Sequence, residues 1–131
     1  MYFPAPKQLL DGLLREWLPR QRWFPVKSGG FAMDETTSFP LPAPGSDAAF
    51  EITLLSVAYT GAGGARQSDV IQLPLSFHPE AVPELEKALL GSVQDDDGGT
   101  RWVYDAAYDP EFIESWLALI PFLLLQRRNI A

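Results

Sequence analysis

An α+β fold, with a helix at each end and antiparallel strands between them, is what three features of this 131-residue sequence predict. Apolar residues between positions 7 and 18 recur at helical spacing, later runs alternate with period two, and Asp109-Pro110-Glu111 opens a second helical stripe. Strands bracketed by helices pack as a sheet against those helices.

Leu9, Leu10, Leu13, Leu14, Trp17 and Leu18 lie on one face of the first helix, and Pro19 stops it. The run from Arg20 to Lys27 has neither period, and Ser28-Gly29-Gly30 closes it as a loop. Residues 31–41, with Thr36, Thr37 and Phe39, read as a strand ended by Pro40, Pro42, Pro44 and Gly45. Phe50, Ile52 and Leu54 then alternate with Glu51 and Thr53, but Leu55, Val57 and Tyr59 continue in the opposite parity. A slip of one predicts a β-bulge near Leu54 and Leu55. Beyond the Gly61–Ala65 connection, Ile71, Leu73, Leu75 and Phe77 predict a hairpin partner, in which Pro74 belongs at an edge or a bulge because it has no N–H. Residues 79–88 fit a short helical turn. Asp95-Asp96-Asp97-Gly98-Gly99 turns between strands at 89–93 and 101–104. In the second helix Asp109 accepts from free N–H groups, Pro110 fits the first turn and Glu111 favours the positive dipole end. Its apolar stripe is Phe112, Ile113, Trp116, Leu117 and Ile120; Trp116, Leu117, Leu119 and Ile120 can face the sheet, and Pro121 breaks the helix.

The length suits a single domain, residues 1–131. Hydrophobic residues make up 47% of the chain and its net charge is −7, a globular composition that repels nucleic-acid phosphates and anionic membranes. The absence of cysteine excludes disulfides, thiol nucleophiles and thiolate metal sites, and a single histidine, His78, excludes multi-histidine centres and nearly all hydrolase triads. No apolar leader follows Met1, so the expected location is cytoplasmic. The nearly apolar stretch 116–125 is about half the ~20 residues of a membrane span.

Chemistry-bearing motifs are sparse. Gly61-Ala62-Gly63-Gly64 lacks the Lys-Ser or Lys-Thr of a phosphate loop, and the aspartates at 95–97 lack the alternating ligands of a calcium loop. Asp105, Asp109 and Glu111 are explained by a helix start, and His78 reads as a rim residue. No metal site, cofactor or catalytic residue is expected. The densest feature is basic and aromatic: Arg15, Trp17, Arg20, Arg22, Trp23, Phe24 and Lys27 in an otherwise acidic chain. Such residues stack on sugars or bases; alternatively, Arg22 ties the loop to Asp105 or Asp109 while Trp23 and Phe24 plug the core.

The segment Gln21-Arg22-Trp23-Phe24, with Lys27 beyond it, resembles the N-terminal cap of actinobacterial maltokinases and related aminosugar (glucosamine) kinases, including those fused to trehalose synthase. Gln72-Leu73-Pro74-Leu75, Val103-Tyr104-Asp105-Ala106 and Asp109-Pro110-Glu111-Phe112 are similar to later segments of the same family and stand in the same order. Pro25-Val26 departs from the small residues that the family has before its lysine. The resemblance implies a cap subdomain with a curved, cystatin-like antiparallel sheet at the start of a bilobal kinase. No catalytic-loop or metal-binding aspartate of such a kinase is recognisable here, so the chain alone is not expected to be an enzyme.

The expected function is therefore a non-catalytic cap or partner-binding domain associated with a maltokinase-type sugar kinase in trehalose, maltose and glycogen metabolism. Its partner would be a kinase-like or trehalose synthase-related protein, or a second copy of the chain. The alternatives are the N-terminal part of an ATP-dependent sugar kinase whose catalytic region is absent from this chain, and a carbohydrate-binding module using Trp17, Trp23 or Trp102. Phe122, Leu123, Leu124 and Leu125 cannot all point into one small core, which marks them as an interface with Arg127 and Arg128 at its rim.

Overall fold

The computed structural model describes residues 7–26, 30–43, 45–61, 63–94 and 98–118. Helix α1 (Lys7–Trp17) tightens into a 3-10 turn at Leu18–Arg20, where Pro19 supplies no N–H for a further α-helical turn. Five strands follow: β1 (Phe31–Leu41), β2 (Ala49–Thr60), β3 (Arg66–His78), β4 (Leu89–Gln94) and β5 (Thr100–Asp105). They form one antiparallel sheet in the order β1-β2-β3-β5-β4, curled into a half-barrel. One 3-10 turn, Pro83–Ala88, enters β4, and another, Ala106–Tyr108, leaves β5. A helix over residues 110–118, α2, completes the α+β fold. None of the described helices is long and apolar enough to cross a membrane.

The parity switch in β2 is not a bulge. Its ladder with β3 runs from Ala49 opposite Phe77 to Thr60 opposite Arg66 without a shift. Leu55 and Val57 of β2 join Leu73, Leu75 and Phe77 of β3 in a core closed by Leu10, Leu14 and Trp17 of α1. Phe50 points the other way and packs with Ala106 and Phe112, with Ile52 against them. Because alternate side chains leave opposite faces of a strand, the apolar parity changes where the covered face changes. The sheet is covered by α1 on one face and by α2 on the other. The register shifts lie elsewhere, between Met33 and Glu35 in β1 and between Leu89 and Gly91 in β4.

Two further consequences follow from this layout. Glu51 and Thr53, the polar members of the first alternation, share a parity with Leu55 and are buried, with the Thr53 hydroxyl donating to Glu51 Oε1 at 3.1 Å. Pro74 lies just outside the β3–β5 ladder, which pairs only residues 75–78 of β3, so this strand has a free side at the proline, as its missing N–H demands.

Leu13 of helix α1 lies against Gly91 of β4. This residue has φ +150°, and a Cβ placed on it would lie 2.6 Å from Leu13 Cδ2. Only glycine satisfies both the backbone angle and the close approach.

Candidate functional site

The Gln21–Phe24 motif divides its residues between closing the fold and facing solvent. Gln21 Nε2 donates to the Trp17 carbonyl at 3.0 Å, and the Gln21 N–H donates to the Leu18 carbonyl at 3.0 Å. These bonds satisfy carbonyls that the end of α1 leaves free. A turn bonded from Phe24 N–H to the Gln21 carbonyl, 3.1 Å, then drives Phe24 into the core, where its ring meets Phe31 edge-on at 5.0 Å. Trp23 does not plug the core: it is 51% exposed and rests edge-on against Trp17 at 6.0 Å. Arg22 is exposed as well. Asp105 Oδ1 accepts from Ala107 N–H at 3.0 Å, and Asp109 is paired with His78. Lys27 lies outside the described residues.

His78 is the chief correction to the sequence reading, because it is a buried residue rather than a rim one. At 8% exposure it projects from the end of β3 on the same face as Ser76, and its ring packs edge-on against Phe50 at 6.4 Å and Tyr104 at 5.6 Å. Its Nε2 lies 2.6 Å from Asp109 Oδ2, and its Nδ1 lies 4.0 Å from Glu111 Oε2. Asp109 is 1% exposed and does cap α2: Oδ1 accepts from Glu111 N–H at 3.0 Å. His78, Asp109 and Glu111 thus bring three metal-ligating side chains together, where none was expected from the sequence. The parity switch of β2 was the signal that could have revealed them, since it implies that both faces of the sheet are covered at this end.

The electrostatics follow from burial and partners. Burial pushes the Asp109 carboxyl upward, but the His78 hydrogen bond, the neighbouring Ser76 hydroxyl, the His78 charge and the Glu111 N–H outweigh it and hold the group below the usual 3.8. Ser76 Oγ itself reaches no partner in hydrogen-bonding geometry. Asp105 moves the other way, raised by burial against the lowering effect of the Ala107 N–H. A depressed carboxyl stabilises the fold above its unfolded value and ceases to do so as pH falls through its folded value. Asp109→Asn is therefore expected to lower the melting temperature by an amount that is constant above about pH 5 and shrinks below about pH 4. Thermal melts of both proteins across that range check this; a gap that widens on acidification would contradict it.

Two surfaces flank the cluster. A cleft of about 660 Å³ is lined by Trp17, Gln21, Glu84, Asp105 and Tyr108. Among the described residues of the expected stripe on α2, only Phe112 is buried, with Trp116 stacked on it at 6.2 Å and 15°. Ile113, Trp116 and Leu117 are 42%, 37% and 56% exposed, so neither Trp116 nor Leu117 is buried against the sheet as expected, while Leu119 and Ile120 lie outside the described residues. The row through residues 112 and 116 meets the protein, and the adjacent row through 113 and 117 is turned outward. The expected interface at Phe122–Leu125 lies outside the described residues.

A curled five-stranded sheet between two helices, with a helix-capping Gln-Arg-Trp-Phe loop at one end and a capped helix at the other, defines a small α+β domain. The family model described as the maltokinase N-terminal cap domain matches residues 17–109, from the end of α1 to the capping aspartate of α2. The chain belongs to this family. No curated protein and no solved structure matches it.

Proposed function

We propose that this maltokinase N-terminal cap is non-catalytic and binds a protein partner, a kinase-like or trehalose synthase-related protein or a second copy of the chain. Its setting is cytoplasmic trehalose, maltose and glycogen metabolism. The observation that supports this reading is the outward row Ile113 and Leu117, with the partly exposed Trp116 beside it, on the helix that begins where the family match ends. Large apolar side chains grouped on one helix face mark contact surfaces, and the sequence continues from them into the apolar residues 122–125. The same face would pack on a catalytic region if the chain forms the first part of an ATP-dependent sugar kinase.

Light scattering of the full chain, alone and mixed with a maltokinase catalytic region, tests the reading. A complex is expected in one of the two samples, and Trp116→Asp with Leu117→Asp should abolish it while circular dichroism stays unchanged. A monomer in both samples would remove the partner reading. Calorimetric titration with Mg-ATP should give no binding heat, and saturable heat would overturn the non-catalytic role.

A carbohydrate-binding role is favoured by one observation, the cleft in which Trp17, Gln21, Asp105 and Tyr108 meet, since aromatic faces beside carboxylates suit sugar rings. Maltose should then quench tryptophan fluorescence saturably in the parent chain but not in Tyr108→Ala.

A further inference from the structure

We propose that His78 and Glu111 form a binding site for a divalent transition-metal ion of the zinc type, with Asp109 as the carboxylate that positions the histidine. Buried at the tip of β3, the imidazole has one nitrogen committed: Asp109 Oδ2 lies 2.6 Å from Nε2. An ionised carboxylate only accepts, so Nε2 carries a proton, and in its neutral form the ring presents a lone pair at Nδ1 that a metal ion can take. That lone pair faces Glu111 Oε2 at 4.0 Å, beyond hydrogen-bond reach. Two electron-pair donors thus face a common gap.

A zinc-type ion fits this gap. Ligand bonds of about 2.0–2.2 Å at tetrahedral angles place two donor atoms roughly 3.3–3.6 Å apart. Glu111, whose side chain is 54% exposed, has the freedom to close the difference, while buried His78 supplies the fixed side. Carboxylate, histidine and metal in line is the arrangement by which an outer carboxylate fixes the tautomer and raises the basicity of a ligating histidine. Asp109 is itself held on its other oxygen by the Glu111 N–H.

A second observation points to the same place. Ser76, two residues before His78 on the same face of β3, is fully buried and sets its hydroxyl beside the Asp109 carboxylate, where it favours the ionised form that orients the histidine. The mouth of the site opens into a cleft of about 400 Å³ whose lining includes Asp47 and Glu80. It has room for water ligands and a negative potential that attracts a cation and offsets the positive end of α2.

Calorimetric titration of the full, tag-free chain with zinc chloride alone, in a non-chelating buffer near neutral pH, tests the site. Saturable one-to-one heat is expected. Glu111→Gln, on the exposed side, should weaken binding about tenfold or more, and Asp109→Asn, which still caps α2, about 10–100-fold. Glu86→Gln, an exposed carboxylate outside the cluster, should leave it unchanged. Because the sequence has one histidine, its imidazole nitrogens give one pair of NMR signals, and zinc should move Nδ1 far more than Nε2. No saturable heat, equal loss in Glu86→Gln, or an unmoved Nδ1 signal would each overturn the assignment.

Discussion

Phe24→Ala is expected to destabilise the domain by about 3–5 kcal/mol, the usual cost of removing a fully buried phenylalanine from a core that does not collapse around the gap. Phe24 is the deepest residue of its loop and sits between Trp23 and Phe31, so its loss opens a cavity between the loop and the sheet. A loss of that size is a large fraction of the roughly 5–15 kcal/mol that holds a typical domain folded. Trp23→Ala, one residue earlier and half exposed, should cost far less. Urea denaturation of the two variants separates the roles of adjacent aromatics. If Trp23→Ala were the more damaging, the loop would not be anchored through Phe24 at all.

Gly91→Ala is expected to be the second most damaging change. Overpacking against Leu13 costs about 1–3 kcal/mol, and a side chain at φ +150° adds strain of the same order. The two contributions are separable. Leu13→Ala removes the atom 2.6 Å from the new methyl but leaves the backbone angle unchanged. The double variant should therefore lose less stability than the sum of the single losses, yet more than Leu13→Ala alone. Strict additivity in denaturant melts would show that α1 does not press on β4 at this point.

Much of this architecture was readable because each element carries its own local signature. The face Leu10, Leu14 and Trp17, the glycine and proline punctuation, and the Asp-Pro-Glu start of α2 all act within a few residues of themselves. What could not be read depends on which face of the sheet is covered. The change of parity at Leu54 and Leu55 is the same string of letters whether a strand bulges or changes the side of its cover, and only packing decides. His78 was misread for that reason, taken as a rim residue although its face of the sheet is covered. The motif Gln21–Phe24 was found by resemblance, but its division of labour was not. That a glutamine reaches back to the Trp17 carbonyl while the next two residues stay outside follows from the tight turn after Pro19.

The unequal covers on the two faces of the sheet set an order of release. On one face α1, its 3-10 turn and Phe24 share a core with four of the strands. On the other, α2 is anchored through Phe112 and the small cluster around Phe50, and its N-terminus is fastened by the His78–Asp109 contact. Sub-global openings begin where the least apolar surface must be given up. Helix α2 is thus expected to open before the strands and α1 unfold, and Phe112 and the His78–Asp109 contact are what resist that opening.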